Sequence, residues 1–202
     1  MQNPTPVLSS VWPFPPIFWW QKVVHASVLH YDIAEHFEKM SYRNRYYIAT
    51  AQGLHCLSIP LERGRDQRST MNDTRIASAE NWQQQHWRTL FSAYNRSPYF
   101  EFYRDGLEQL FLSRYDRLID FNLASIHWVK KQLKLDFEEK MIGHYQKEYA
   151  GATDLRSLKP KNIAAFPCKT YSQVFSDRNG FIPHLSILDL LFNEGKYTKE
   201  FL

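Results

Sequence analysis

The fold is decided by residues 7–33, which read VLSSVWPFPPIFWWQKVVHASVLHYDI. The apolar residues 7–12 predict a short buried strand, which the prolines at positions 13, 15 and 16 interrupt. Because proline is tolerated in the first turn of a helix, residues 17–25 are predicted to continue as a helix. Residues 27–33 then predict a second strand, and a strand–helix–strand unit favours a parallel start to the sheet.

Further along the chain, the pattern changes from strands to helices. Residues 42–50 and 54–61 predict a β-hairpin around the Gln52-Gly53 turn. Apolar residues at helical spacing predict three helices between residues 82 and 134. Residues 183–192 are almost all apolar and predict a buried helix near the end of the chain.

The composition is that of a globular protein with many aromatic residues. Of the 202 residues, 44% are hydrophobic and 23% are charged, which excludes wholesale disorder, and 16% are aromatic. The length predicts one domain, which we place at residues 7–195, after a flexible N-terminal end of residues 1–6. We predict an α/β fold, with a mixed β-sheet from the N-terminal ~80 residues packed by helices from the middle and C-terminus.

Charge and motif content exclude several classes of function. The net charge of +4 is spread along the chain, which argues against nucleic acid as a partner. With 7 glycines and neither GxxxxGK[ST] nor GxGxxG, the chain shows no phosphate-cradling loop and no cofactor motif. Its two cysteines, Cys56 and Cys168, have no zinc-ligand spacing, so we expect reduced thiols and no metal site.

The N-terminal sequence predicts a cytoplasmic protein. Residues 1–10 contain no Lys or Arg, so the basic region of a signal peptide is missing. The longest apolar stretch, residues 11–20, is ten residues long and holds three prolines. Because a spanning helix needs about 20 apolar residues, we expect no membrane span.

The candidate ligand-binding residues are Tyr42, Arg43, Asn44 and Arg45. If this segment is a strand, alternation puts Arg43 and Arg45 on one face and Tyr42 and Asn44 on the other. Two guanidinium groups about 7 Å apart could then grip one diphosphate or carboxylate. The alternative is that both arginines face solvent or pair with nearby acids, and that Asn44 only ties the hairpin together.

The candidate catalytic residues are Glu35 and His36, just before this segment. A histidine is the simplest general base at neutral pH. The alternative for His36 is an ordinary surface residue, because adjacent side chains on an extended chain diverge and do not form a dyad.

Other polar residues lie in apolar surroundings and are expected to be structural. His86 and Asn122 fall on the apolar faces of their helices and predict hydrogen-bonded core residues. Asp189 lies among apolar residues, so it is expected to find a cation. Cys56 lies in the middle of a predicted strand and is expected to be a small core residue.

Six segments carry a family resemblance: residues 14–20, SYRNR at 41–45, SIP at 58–60, WQQQHWRTLFSAYNRSPYF at 82–100, DFN at 120–122 and FIPHLSILDLLFNEG at 181–195. They resemble the WbqC-like family of bacterial proteins, and the resemblance covers most of residues 8–195.

The chain departs from the family at three places. It has Ser10-Val11 or Trp12 instead of a His-Gln that many members show, and Ala34-Glu35-His36 where closer relatives carry His-Glu-Asn. Near the end, Lys196 stands where a proline often follows the glycine.

This resemblance implies a role in the biosynthesis of surface polysaccharide such as O-antigen. It implies a transferase that adds a small acyl or aminoacyl group to a sugar. The substrate would be a nucleotide-sugar or another phosphorylated small molecule, held by residues 42–45, with Glu35 or His36 as the base. A second class stays open: a non-catalytic binding or scaffold protein that keeps the fold without the chemistry. The enzyme requires Glu35, His36, Arg43 and Arg45 to open on one pocket.

Overall fold

A four-stranded parallel sheet forms the centre of the computed structural model, which describes residues 4–62, 69–77 and 81–202. The strands are β1 (Val7–Ser9), β2 (Leu29–Asp32), β3 (Arg45–Thr50), β4 (Gly53–Ser58), β5 (Glu139–Ile142) and β6 (Thr153–Asp154). The parallel sheet has the order β5-β2-β1-β6, and β3 and β4 form a separate antiparallel hairpin.

Helices surround the sheet and the hairpin. None of the described helices is long and apolar enough to cross a membrane. Short 3₁₀ helices cover Tyr42–Asn44, Ile163–Ala165 and Gly195–Phe201. The α-helices of the described residues are α1 (Ile17–Val23), α2 (Trp82–Tyr94), α3 (Phe100–Leu112), α4 (Leu118–Gln132), α5 (Ser176–Asn179) and α6 (Ile187–Glu194).

The α/β class, the parallel β1-α1-β2 start and the hairpin are confirmed. The sheet differs from expectation in its origin, because its two edge strands come from residues 139–154 and not from the N-terminal part. These strands have four and two residues, too few for an alternating pattern to be recognised in the sequence. Of the predicted N-terminal end, residues 1–3 lie outside the described residues, whereas Pro6 already accepts a hydrogen bond from Thr153 N–H at 2.8 Å.

The aromatic N-terminal segment, residues 7–20, forms the centre of the hydrophobic core. Every residue from 7 to 20 is buried. The Trp19 indole donates a hydrogen bond to Ser9 Oγ at 2.8 Å, which ties α1 to the end of β1. Ile17 N–H donates to the carbonyl of Leu185, so α1 is also fixed to the segment before α6. This dense packing explains why β1 and β2 stay in place although both are short.

Two of the polar core residues are hydrogen-bonded, although Asn122 Oδ1 is buried without a donor among the described residues. His86 lies 3.0 Å from the Tyr46 hydroxyl and 3.2 Å from the Ser58 carbonyl, and burial lowers its pKa to about 4. Asn122 donates from Nδ2 to the carbonyls of Val11 and Arg43, both at 2.8 Å. The prediction of structural residues is confirmed for both.

The expectation of a buried Cys56 is wrong. The thiol is exposed, because β4 pairs only with β3 and its outer positions face solvent.

The expectation of a cation beside Asp189 is also wrong. The fully buried carboxylate accepts hydrogen bonds from the hydroxyls of Tyr94 at 2.6 Å and Tyr171 at 2.7 Å. Asn193 Nδ2 lies 3.4 Å from the same group. No cation lies within ion-pair distance of it among the described residues. Burial therefore dominates and raises the pKa of Asp189 from its ordinary 3.8 to about 6, although the hydroxyls act in the opposite direction.

We expect Gly195→Ala to destabilise the protein by about 3 kcal/mol, through backbone strain and overpacking. Gly195 has a φ of 53° and a ψ of −120°, and a Cβ there would collide with the Tyr99 ring. Gly53→Ala is the matched control, because its φ of 101° is also positive but no described heavy atom lies within 4 Å of its Cβ position. Urea unfolding should show a smaller loss for the control, and equal losses would contradict the steric argument.

We expect the wild type to gain stability relative to Asp189→Asn as the pH falls from 7 to 4. The folded state binds the Asp189 proton more tightly than the unfolded state, so stability is highest below the unfolded pKa and falls as pH rises through about 6. The full difference is about 3 kcal/mol. Denaturant unfolding at several pH values measures it. A pH-independent difference, or one of the opposite sign, would refute the assignment.

Candidate functional site

The candidate site lies at the carboxyl ends of the parallel strands. β1 lies between β2, which follows it in the chain, and β6, which follows β5, the strand at the opposite edge of the sheet. Such a switch point leaves a crevice beyond the strand ends, where open α/β sheets bind their ligands. A cavity of about 510 Å³ opens there, lined by Glu35, His36, Phe37, Glu38, Arg43, Tyr145, Lys147, Asp154, Arg156 and Ser157.

Arg156 holds one side of this cavity together. Its guanidinium donates to Asp32 Oδ2 at 2.7 Å and to Asp154 Oδ2 at 2.6 Å. It also donates to the carbonyls of Gln146 at 2.8 Å and Lys147 at 3.0 Å, and its Nε contacts Asp154 at 3.1 Å. All five of its N–H donors therefore have acceptors, and Arg156 joins the ends of β2 and β6 to the segment after β5.

Asp32 also fixes the backbone of the loop that follows β2. Its Oδ1 accepts from the backbone N–H groups of Ala34 at 3.1 Å and Glu35 at 2.9 Å. The side chain is fully buried, so these bonds and the Arg156 pair replace its lost hydration. The resulting turn directs Glu35 into the cavity and brings His36 to its mouth, where His36 is exposed.

Glu35 and Arg43 form a second buried ion pair. Arg43 donates from Nε to Glu35 Oε1 at 2.9 Å and from Nη2 to Oε2 at 2.6 Å, and both side chains are about 95% buried. A weaker pair links Arg43 Nη1 to Glu38 at 3.3 Å. Burial raises the pKa of Glu35, and the Arg43 guanidinium only partly offsets this effect.

The local fold places Tyr42 and Asn44 away from the cavity lining. Ser41 Oγ accepts from Arg43 N–H and caps the 3₁₀ helix over Tyr42–Asn44. The Tyr42 ring packs on Trp12 with centroids 5.1 Å apart. Asn44 donates from Nδ2 to the Ile59 carbonyl at 2.9 Å, which ties the hairpin together as the structural alternative proposed.

The expectation that Arg43 and Arg45 share one face of a strand is wrong. Residues 42–44 are a 3₁₀ helix and the strand begins only at Arg45, so the alternation of side chains does not apply. Arg43 turns to the cavity and pairs with acids, whereas Arg45 lines another depression and contacts Met40 Sδ at 3.0 Å. The structure brings Glu35, His36 and Arg43 together on one cavity and leaves Arg45 outside it.

Four residues that define the site were missed in the sequence: Asp32, Tyr145, Asp154 and Arg156. A signal existed for Asp32, because it ends the predicted second strand and carboxyl ends of parallel strands carry functional groups, whereas Asp154 ends a strand too short to be recognised in the sequence. Arg156 follows two residues later but meets Asp32 across 124 positions. No group of three or more described His, Cys, Asp or Glu side chains could hold a metal ion.

We expect Arg43→Met to destabilise the protein by about 3–5 kcal/mol, because it leaves the Glu35 carboxylate buried without a cation. The double variant Glu35→Leu with Arg43→Met should recover most of this loss, since no charge then stays buried. Arg117→Met is the control, because its pair with Asp120 is exposed and should cost less than about 1 kcal/mol. Urea unfolding measures all three, and an unrecovered double variant would contradict the interpretation.

Comparisons with known proteins agree with the resemblance seen in the sequence. The uncharacterized protein Rv1507c of Mycobacterium tuberculosis is 26% identical over 194 residues, which cover 82% of this chain and 83% of the relative. No solved structure matches the chain significantly. The family model described as "WbqC-like protein family" matches residues 13–165, which include α1, the hairpin and all the lining residues of the cavity. Because this match runs through most of the chain, the protein belongs to the WbqC-like family.

Proposed function

We propose that the protein is a cytoplasmic transferase acting on a nucleotide-linked sugar in the biosynthesis of surface polysaccharide. The proposal rests on one observation: the cavity places an exposed aromatic ring beside partly exposed carboxylates at the carboxyl ends of the sheet. The ring is Tyr145, which is 58% exposed. The carboxylates are Glu38 and Asp154, whose side chains are 40% and 35% exposed, so each keeps oxygen surface open to solvent although Glu38 pairs with Arg43 and Lys159 and Asp154 pairs with Arg156.

This combination suits a sugar. Sugar hydroxyls are hydrogen-bond donors, and an ionised carboxylate accepts from them in short, strong bonds. The apolar face of a pyranose ring packs on an aromatic ring, as other amphipathic groups do. Arg156 lies 5.4 Å from the Tyr145 ring centroid and also fixes Asp154, so both contact groups are held in place before a ligand arrives.

The transfer step requires a base for the attacking sugar hydroxyl. In acyl transfer the hydroxyl oxygen bonds to the acyl carbon, the donor leaves with its electron pair, and the hydroxyl proton passes to the base. His36 is better placed than Glu35, because both Glu35 oxygens already accept bonds from Arg43. Glu35 then acts as a positioning residue that fixes Arg43 at the cavity wall.

A specific observation favours the second class, a binding protein without catalysis. Arg43 and Arg156, the arginines of the cavity, are both paired with buried carboxylates. Their positive charge is therefore balanced and contributes little to stabilising a charged transition state. A binding protein for a neutral polyol would need no more than this cavity.

Calorimetric titration with a panel of free sugars and nucleotide-sugars tests sugar binding. We expect a member of the panel to bind, and Tyr145→Ala to weaken it about tenfold through loss of the stacking surface. Tyr197→Ala is the matched control, because Tyr197 is also an exposed aromatic residue but lies outside the cavity. The proposal fails if nothing in the panel binds or if Tyr145→Ala binds like the wild type.

Turnover separates the two classes once a ligand is found. With acyl and aminoacyl donors added, a transferase should form the modified sugar, and His36→Asn should abolish product while binding is retained. Binding without product in the wild type would favour the non-catalytic protein.

A further inference from the structure

A second depression, of about 280 Å³, lies between the turn at residues 37–40 and the start of the hairpin. It is smaller than the usual range of about 300–1,000 Å³ for pockets that hold a whole organic ligand. Phe37 lines both this depression and the first cavity. The lining consists of Phe37, Lys39, Met40, Asn44, Arg45, Ser58, Ile59, Pro60 and Leu61.

The two depressions differ in charge balance. The first cavity has three carboxylates and three cations, Arg43, Lys147 and Arg156, in its lining, whereas the second has Lys39 and Arg45 and neither Asp nor Glu among its described lining residues. Arg43, two positions before Arg45, is held by Glu35 in a bidentate pair. No carboxylate lies within ion-pair distance of Arg45 in the part of the chain that the structure describes.

The Arg45 guanidinium has only neutral partners among the described residues, the Met40 thioether and the Tyr47 hydroxyl. Its Nη1 contacts the Met40 thioether sulfur at 3.0 Å, and a thioether is a poor acceptor. Its Nε is buried and lacks an acceptor among the described residues. A partly buried guanidinium in this condition gains from an oxyanion that accepts two parallel N–H bonds.

Neutral donors lie in the same depression. Ser58 Oγ accepts from Asn44 Nδ2 at 3.4 Å, which leaves the Ser58 O–H to donate. Asn44 itself is fixed by its bond to the Ile59 carbonyl, so this wall of the depression is rigid.

We infer that this depression binds a phosphoryl group, with Arg45 as its main ligand and Ser58 as a second donor. The inference goes beyond the proposed function, because an anion can bind here whether or not a sugar occupies the first cavity.

The test titrates the full chain with inorganic phosphate, pyrophosphate and uridine diphosphate at constant ionic strength. Calorimetry gives the affinity of the wild type and of each variant, and NMR follows the Arg45 Nε–H resonance in every protein that keeps Arg45. We expect a saturable shift, and about tenfold weaker binding in Arg45→Gln, the change for losing one charge-assisted hydrogen bond. Arg114→Gln is the control, because Arg114 is an exposed arginine far from this lining. Circular dichroism checks that each variant is folded.

The outcomes distinguish a nucleotide from a phosphoryl group alone as the ligand, and they separate this inference from the proposed function. Tighter binding of uridine diphosphate than of pyrophosphate indicates a nucleotide, and equal binding indicates the phosphoryl group alone; either supports the inference. Absence of a saturable shift, or unchanged binding in Arg45→Gln, overturns it. If sugar binding depends on Tyr145 while anion binding fails, the phosphoryl site falls and the proposed function stands. The reverse result removes the sugar site and keeps the anion site.

Discussion

The ion pair between Asp32 and Arg156 is the interaction on which the rest of the structure depends. Asp32 ends the central strand β2 and is fully buried, so its carboxylate requires a cation to compensate for lost hydration. Arg156 supplies it from just beyond the edge strand β6 and binds the segment after β5 with the same guanidinium. The same ion pair therefore links the end of β2 to both edge strands of the sheet and forms one wall of the cavity.

The pairing of arginines with buried carboxylates also limits the chemistry of the cavity. Both of its arginines compensate buried acids, and the exposed parts of its lining are carboxylate oxygens, aromatic carbons, the His36 ring and the Lys147 side chain. Such a surface accepts hydrogen bonds and packs against apolar faces, which suits a polyol, and Lys147 adds one cation. On the other side of Phe37, Arg45 has no acidic partner among the described residues. A phosphate-linked sugar has both kinds of group, and the two neighbouring depressions match them separately.

The sequence predicts those parts of the fold that depend on local pattern. The β1-α1-β2 unit, the hairpin at Gly53 and the middle helices follow from apolar runs, turn residues and helical spacing. The edge strands are too short to give such a signal. The 3₁₀ helix before Arg45 depends on a single cap by Ser41, which a strand-like composition conceals. The partners of Arg156 lie up to 124 positions away, and only the folded chain brings them together. The sequence therefore singled out Glu35, His36 and Arg43, which the fold brings to one cavity, but not the Asp32–Arg156 pair beside them.

Asp32 and Asp189 show that burial alone does not make an acid functional. Both carboxylates are fully buried, but Asp32 is compensated by a cation at the cavity, whereas Asp189 has only hydroxyl and amide donors in the core. Neutral donors compensate a charge less completely, and so the pKa of Asp189 rises. Its titration changes the stability of the packing between α2 and α6 without reaching the cavity. An acid with a shifted pKa is a candidate functional residue only where it and its partners line a cavity that a ligand can enter. Glu35 and Arg43 meet this condition, whereas Asp189 lies in the core away from the cavity lining.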